Sequence, residues 1–235
     1  MKRLFLSISK GEELRFLGHL DLLRAMERAV VRAGIPVLYS EGFNPHMKLS
    51  FDAALGVGVT ADPLYMEIKV GDDASIGDIM EKLGVQLPKG MVIHEIKEVG
   101  NECEKLVTFL NEDVYEMEGP ILAETDITSV QGNISKFNDL DSFLYKRVTP
   151  KKIREMDVKP MIIRPMEVHI ENGRAFLTFS LIRSQTGSVQ PKDIWKLLSE
   201  SFSLPWIPDA FICSRIGTYH VDGEKRVTPF SDGVF

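Results

Sequence analysis

Hydrophobic and polar residues alternate in several short runs of the first hundred residues, and a period of two is typical of β-strands. The segments predicted as strands are residues 3–9, 49–51, 65–70 and 91–99. Two other stretches repeat their apolar positions every three or four residues, which predicts helices over residues 19–33 and 75–83. The predicted order is therefore strand, helix, strand, strand, helix, strand.

The helix predicted over residues 19–33 has a strong pattern. Gly34 follows its last apolar position and predicts the helix end, because glycine readily adopts the left-handed conformation that stops a helix. We expect the core-facing residues to be Leu20, Leu23, Met26, Val30 and Ala33. The opposite side carries three guanidinium groups at intervals of four residues, from Arg24, Arg28 and Arg32.

The second half of the chain repeats this order more loosely. Strands are predicted over residues 105–118, 142–148 and 210–220, with a partly helical stretch over 119–140. Residues 166–171 and 174–182 flank Asn172-Gly173, which is typical of a two-residue hairpin turn. Pro191 predicts the first turn of a helix over 191–202.

These patterns predict an α+β fold with two ferredoxin-like (βαββαβ) halves, each an antiparallel sheet with its helices on one face. The acidic stretch at residues 100–106 is the candidate boundary between them. We therefore place an N-terminal domain at residues 1–100 and a C-terminal domain at residues 101–235.

Composition narrows the class of protein. The 235 residues are 44% hydrophobic and 26% charged, which is typical of a soluble globular chain. The two cysteines, Cys103 and Cys213, exclude a disulfide framework and a CxxC zinc knuckle, so we expect two buried or half-buried thiols. The chain start lacks the apolar run of a signal peptide, and no stretch has the length of a membrane span. We expect a cytoplasmic protein with no membrane contact.

Charge is unevenly distributed. The net charge of −6 argues against bulk nucleic-acid binding, but residues 1–50 carry eight Lys/Arg and five Asp/Glu, a local charge of +3. Residues 51–132 carry −12, and the remainder carries +3. An acidic middle therefore conceals a basic N-terminal region in the total.

The basic region predicts an anion-binding patch. Arginine forks match phosphate oxygens, the helix start at Gly18-His19 offers free backbone N–H groups, and the turn-forming stretch 42–46 brings further polar side chains nearby. The predicted phosphate- or nucleic-acid-binding residues are Arg15, His19, Asp21, Arg24, Arg28, Asn44, His46 and Lys48. The alternative is an ordinary solvated helix face beside an ordinary turn.

Other chemistry is less well supported. His19, Asp21 and His46 are residue types that bind metals, but their spacing is weak and a structural histidine is the preferred interpretation, so we predict no metal and no cofactor. The chain has no Ser-His-Asp order, nucleophile elbow, phosphate-binding loop or GxGxxG motif. His19 and His46 remain a possible acid–base pair if both face one substrate phosphate.

Two motifs carry a resemblance to a known family. R-F-L-G-H-L-D at residues 15–21 and G-F-N-P-H at 42–46 resemble the signature of the radical-SAM-linked conserved proteins, and the similarity is dense over 14–59. Asp157-Val158-Lys159-Pro160 and Gly187-Ser188-Val189-Gln190-Pro191 resemble two further elements of that family. In this chain lysine and glutamine replace the arginine that the family has at residues 159 and 190.

The resemblance implies a bacterial protein that acts with a radical SAM enzyme in trans, in an RNA or ribosome context. Tandem ferredoxin-like halves are also similar to those of pseudouridine synthases and RNA-processing endonucleases. We expect an accessory RNA- or phosphate-binding module. The alternatives are an RNA-directed nuclease or modification enzyme that uses His19 and His46, and a protein partner of a radical SAM enzyme that binds through the acidic middle.

Overall fold

The computed structural model of the chain describes residues 1–122, 126–149, 152–183 and 189–235. Two compact units are present: unit 1 is Met1–Asn111 with Gly217–Phe235, and unit 2 is Glu112–Ile216. Each combines antiparallel strand pairs with helices, so the fold is α+β. The last nineteen residues belong with the N-terminal half. The predicted boundary between an N-terminal domain at residues 1–100 and a C-terminal domain at residues 101–235 stays a prediction.

Unit 1 contains the predicted order of elements: β1 (Lys2–Lys10), α1 (His19–Arg32), β2 (Leu49–Phe51), β3 (Val59–Val70), α2 (Ile76–Gln86) and β4 (Ile93–Val99). A short helix, α3 (Leu106–Phe109), follows. In the sheet, β1 lies between β4 and β3, and β2 pairs with β3. All three pairings are antiparallel.

Both faces of the unit 1 sheet are buried. Leu4 and Leu6 of β1 point to the face covered by α1 and α2 and are fully inaccessible to solvent. Phe5 points to the other face, where its ring lies 5.2 Å from that of Phe235. Tyr65 of β3 stacks there on Phe230 at 5.6 Å. The C-terminal segment and α3 therefore cover the face that α1 and α2 leave open.

The core-facing stripe of α1 differs from the predicted one. Leu20 was predicted to face the core, but it is 62% exposed, and Leu22 is buried instead. The buried positions recur at intervals of three and four residues, at Leu22, Met26, Ala29 and Val30. Leu20 is two residues from Leu22, which is about 200° around the helix axis, so both cannot face the sheet.

Unit 2 contains β5 (Glu112–Pro120), α4 (Ile127–Asn138), β6 (Leu144–Thr149), β7 (Lys152–Asp157), β8 (Glu167–Glu171), β9 (Arg174–Ile182), α5 (Pro191–Ser201) and β10 (Ile212–Asp222), whose last residues belong to unit 1. Its strand order is β10-β5-β9-β8, and β6 and β7 form a separate two-stranded sheet. In unit 1, β11 (Lys225–Val227) pairs with β10.

In this half, one predicted strand begins later than expected, one strand was not predicted, and the predicted hairpin turn is confirmed. The strand predicted over 105–118 begins only at Glu112, because Leu106, Phe109 and Leu110 are buried at helical spacing. β7 was not predicted, since its sequence KIREMD is largely charged. Asn172 and Gly173 both have positive φ, 50° and 74°, as a two-residue hairpin turn requires.

Buried charges pair with one another in unit 2. The Asp113 carboxylate accepts hydrogen bonds from Arg183 at 2.9 and 2.6 Å and from Arg215 at 3.3 Å. Arg215 is fully buried and Asp113 is 7% exposed. Removal of the carboxylate would take a charged hydrogen-bond acceptor away from both guanidinium groups.

We predict that Asp113→Asn lowers the free energy of unfolding by about 3 kcal/mol, because it leaves two largely buried guanidinium groups without a full counter-charge. Urea denaturation followed by circular dichroism measures the change. Lys82→Gln is the control, since Lys82 and Asp78 form an exposed pair at 3.0 Å on α2 and such pairs contribute at most about 1 kcal/mol. Equal losses in the two variants would contradict a stabilising role for Asp113.

The two cysteines are free thiols, and both are at least half-buried, as expected. Cys213 is buried, whereas Cys103 is half-buried. Burial raises the pKa of the Cys213 thiol to about 12, so the reactive thiolate is scarce at neutral pH. We predict that iodoacetamide modifies Cys103 in the native protein and reaches Cys213 only under denaturing conditions. Peptide mass spectrometry over a time course tests this, and rapid native labelling of Cys213 would contradict it.

Candidate functional site

The segment that leads into α1 holds the first two predicted site residues. The Arg15 guanidinium forms an ion pair with Glu12 at 2.8 Å and lies 4.6 Å above the ring of Phe16. His19 is the first residue of α1, after the extended residue Gly18. Its half-buried ring is 6.1 Å from the Phe51 ring at the end of β2. Both side chains therefore already have intramolecular contacts.

A buried lysine, which sequence reasoning missed, shapes this segment. The Lys10 ammonium is at the end of β1 and donates to the backbone carbonyl oxygens of Arg15 at 3.3 Å and Leu17 at 3.2 Å. The Arg15 carbonyl oxygen also accepts from the Gly58 N–H at 2.8 Å. Burial lowers the pKa of the Lys10 ammonium. These bonds set where α1 begins.

The three arginines on the exposed side of α1 differ in their side-chain contacts. Arg24 lies 3.6 Å from the Asp21 carboxylate, and both side chains are more than 60% exposed. Arg32 donates to the Gln86 side-chain oxygen at 3.1 Å and to its backbone carbonyl at 2.6 Å, which holds it on the end of α2. Arg28 is exposed, and its side chain has no hydrogen bond or ion pair within the described part of the chain.

The GFNPH stretch forms a closed loop. The Ser40 N–H donates to the His46 carbonyl at 2.8 Å, and the His46 N–H donates to the Ser40 hydroxyl at 3.0 Å. Tyr39 and Met47 form an isolated antiparallel bridge directly below. All residues from 41 to 46, including Asn44, are exposed. Gly42 has a φ of 118°, which side chains rarely allow, so glycine is required at this point of the loop.

Lys48 follows the loop in extended backbone. Its N–H donates to the Leu38 carbonyl at 2.7 Å, and its own carbonyl accepts from the Lys69 N–H at 2.9 Å. The half-buried side chain has no ion pair among the residues that the structure describes. Backbone pairing thus fixes the position of Lys48 while its ammonium stays available.

An open depression joins α1 to this loop. It has a volume of about 280 Å³ and is lined by Glu27, Arg28, Val31 and Arg32 of α1 and by Met47. Met47 stands between His46 and Lys48 in the chain. The structure therefore brings the second half of α1 next to residues 46–48. Val31 and Met47 add an apolar surface that was not part of the predicted patch.

The surroundings of the two histidines differ. His19 is beside Phe51, at the first residue of α1, whereas Met47 contacts the helix at residues 27–32. Nine residues of helix, from His19 to Arg28, rise about 13 Å. An acid–base pair must contact one substrate group from both sides, and joint catalysis by His19 and His46 stays a hypothesis. No group of three metal-binding side chains occurs within the described ranges.

Residues 3–191 match the DUF2344 family, which is described as an uncharacterised protein conserved in bacteria. The chain belongs to this family. The match runs from β1 to the first residue of α5 and includes all eight predicted site residues. The description of the family does not mention radical SAM proteins, so the predicted link of this chain to them stays a prediction. No curated protein sequence matches the chain.

Among the solved structures that match this DUF2344 protein are the following two. One is a chain in the crystal structure of a Cbf5-Nop10-Gar1 complex, with a TM-score of 0.50, 7% identity, and coverage of 90% of this chain and 48% of that chain. The present chain thus spans about half of that neighbour, and the similarity concerns the fold alone. The other is an unknown protein from Galdieria sulphuraria, 15% identical with a TM-score of 0.28, covering 77% of this chain and 82% of that chain.

The C-terminal motifs of the DUF2344 chain have structural contacts. The Lys159 ammonium donates to the carbonyl oxygens of Phe137 at 3.1 Å and Asn138 at 2.9 Å, at the end of α4. The backbone N–H of Phe143 donates to Asp157, and this bond is the main reason that the pKa of Asp157 is lowered. Gln190 precedes α5, while Gly187 and Ser188 lie outside the described residues. Lysine at residue 159 therefore caps a helix here.

No helix in the described ranges is both long and apolar enough to cross a bilayer. The longest helices, α1 and α4, have 14 and 12 residues, against about 20 that a bilayer requires. The helix α1 also carries the charged side chains of the candidate site.

We predict that Lys10→Met lowers the free energy of unfolding by roughly 1–3 kcal/mol, because the carbonyls of Arg15 and Leu17 lose a buried donor. Urea denaturation measures the loss, and hydrogen exchange is expected to accelerate at the first turn of α1. Lys89→Met is the control, since Lys89 is 87% exposed in its side chain.

The same lysine predicts a pH dependence. Because its pKa is lower in the folded state than its ordinary value of 10.5, the unfolded chain binds more protons in the alkaline range. The stability of the wild type relative to Lys10→Met is therefore expected to rise as pH approaches 10.5. A difference that falls with increasing pH would contradict the buried position of the ammonium.

Proposed function

We propose that this protein is an accessory RNA-binding module that holds RNA phosphates along the exposed face of α1 and the loop at residues 40–48. The observation that carries the proposal is Arg28, an exposed guanidinium without an intramolecular partner in the described residues, at the edge of a depression shared with Met47. Arginine forms paired hydrogen bonds to phosphate oxygens, and such contacts supply most of non-specific nucleic-acid affinity.

The charge of this surface supports an anionic ligand. Residues 15–48 contain five Lys/Arg and three Asp/Glu, against a net charge of −6 for the whole chain. Arg15 and Arg32 are engaged by Glu12 and Gln86, and Arg24 lies 3.6 Å from the Asp21 carboxylate in a pair that is exposed to solvent. We therefore assign the main phosphate contacts to Arg24, Arg28 and Lys48, with His19, Asp21, Asn44 and His46 at the margins and Arg15 as a structural residue.

The depression offers more than charge. Val31 and Met47 place apolar atoms between Arg28 and Arg32. A nucleotide presents both an apolar face and a phosphate, so a surface with both kinds of contact fits RNA better than it fits a simple ion.

We also propose that each of the two units has a ferredoxin-like fold, as the sequence predicts. In each, the first strand lies between the third and fourth strands, as in β4-β1-β3 and β10-β5-β9, and the second strand pairs with the third. The hairpin of β6 and β7 is then an insertion in the second unit.

We further propose that the protein acts with a radical SAM protein as a partner in trans and that it is located in the cytoplasm.

The test is a filter-binding titration of total RNA against the wild type and the double variant Arg24→Ala/Arg28→Ala. We expect the double variant to bind at least tenfold more weakly at 50 mM salt and to lose less affinity when salt is raised to 200 mM, because two phosphate contacts are gone. The expected salt slope falls by about 0.7 per lost contact for a single strand.

Lys192→Ala/Lys196→Ala is the matched control. It removes the same amount of positive charge from the exposed residues of α5 in unit 2. Equal weakening in both double variants would indicate only a general charge effect, and an absence of binding by the wild type at low salt would rule out the proposed function.

A further inference from the structure

Phe43 stands at the tip of the closed loop and is exposed to an unusual degree. Its relative exposure is 106%, the highest of the exposed large hydrophobic residues among those described. Gly42 precedes it in a left-handed conformation and Asn44 follows it, so no neighbouring side chain shields the ring. Water contact with a whole phenyl ring is unfavourable, and the ring adds nothing to the core of unit 1.

The loop holds this ring close to the proposed phosphate contacts. Hydrogen bonds between Ser40 and His46 close the loop, and Met47, one residue later, lines the depression beside Arg28. Phe43 and Met47 are four positions apart in the chain, so their Cα atoms lie at most about 14 Å apart. Tyr39, opposite Met47 at the base of the loop, is a second aromatic residue, 48% exposed.

We propose that Phe43 stacks on an unpaired nucleobase, which makes single-stranded RNA the ligand class of this site. This inference rests on the proposed function. Phosphate contacts alone do not distinguish a duplex from a single strand, whereas the face of a base is open to an aromatic ring only where the base is unpaired. Aromatic rings alternating with cationic side chains are the usual means of binding single strands.

A protein groove is the competing occupant for an exposed phenyl ring. Such an anchor is normally surrounded by other apolar residues that exclude water around it. Here the other loop residues between Ser40 and Met47 are Glu41, Gly42, Asn44, Pro45 and His46, all exposed. The Arg28 guanidinium, which has no partner among the described residues, lines the same depression as Met47 and favours an anionic polymer over an apolar groove.

The experiment compares a fluorescein-labelled 12-nucleotide RNA with the same strand annealed to its complement, by fluorescence anisotropy at 50 and 200 mM salt. We expect Phe43→Ala to bind the single strand about tenfold or more weakly, because one stacked base is lost. Its salt slope and its duplex affinity are expected to stay as in the wild type. Phe43→Trp retains a stacking face and is expected to bind the single strand normally.

A 2-aminopurine in the single strand reports stacking directly. Its fluorescence is expected to be quenched on binding to the wild type and to Phe43→Trp, and not on binding to Phe43→Ala. Val85→Ala is the control, because Val85 is another exposed apolar side chain, 78% exposed on α2. Circular dichroism is expected to show all variants folded, since the phenyl ring lacks packing contacts to lose.

The outcomes separate this inference from the function on which it rests. If Arg24→Ala/Arg28→Ala weakens binding and Phe43→Ala does not, the phosphate-binding function stands and base stacking by Phe43 is wrong. Equal losses on single-stranded and duplex RNA in Phe43→Ala would also overturn the stacking assignment. If the wild type binds neither RNA, both proposals fail, and a protein occupant for the loop is then favoured.

Discussion

In unit 1, the central residues of β3 form backbone hydrogen bonds with β1 on one side and with β2 on the other. Leu4 of β1 and Leu49 of β2 both pair with Ile68. This double pairing places the chain that enters β2 next to α1, where Met47 lines a depression with residues 27–32. The loop closed at Ser40 and His46, and with it the depression beside Arg28, depends on that arrangement.

The arginine side chains of the two units differ in burial and in their partners. In unit 2, Asp113 and Arg215 are buried, and the Asp113 carboxylate accepts hydrogen bonds from Arg215 and from the half-buried Arg183. On α1, Arg28 is exposed and unengaged within the described residues. Buried guanidinium groups cannot reach a dissolved polymer without losing their carboxylate partner, so the arginines of α1 are the better candidates for binding phosphate.

The order of elements in unit 1 could be predicted from the sequence because strand and helix periods differ so clearly there. The predicted patch was also partly a property of local sequence, since α1 and the GFNPH loop are only ten residues apart. The strand β7 was missed because its exposed charged residues obscure alternation. Lys10 was missed as well, because nothing in the pattern of β1 distinguishes a buried ammonium from a terminal, solvated one.

The sequence by itself determined the α+β class, the hairpin turn at Asn172-Gly173 and the arginine row of α1, because each follows from spacing along a few residues. Only the tertiary structure decided that Arg32 is held by Gln86, that Arg28 has no partner among the described residues, and that Met47, the neighbour of His46, lines a depression with residues 27–32 of α1. Those outcomes depend on contacts between segments up to 54 residues apart. Hydrogen bonds and burial at such separations are set by packing, which no local period encodes.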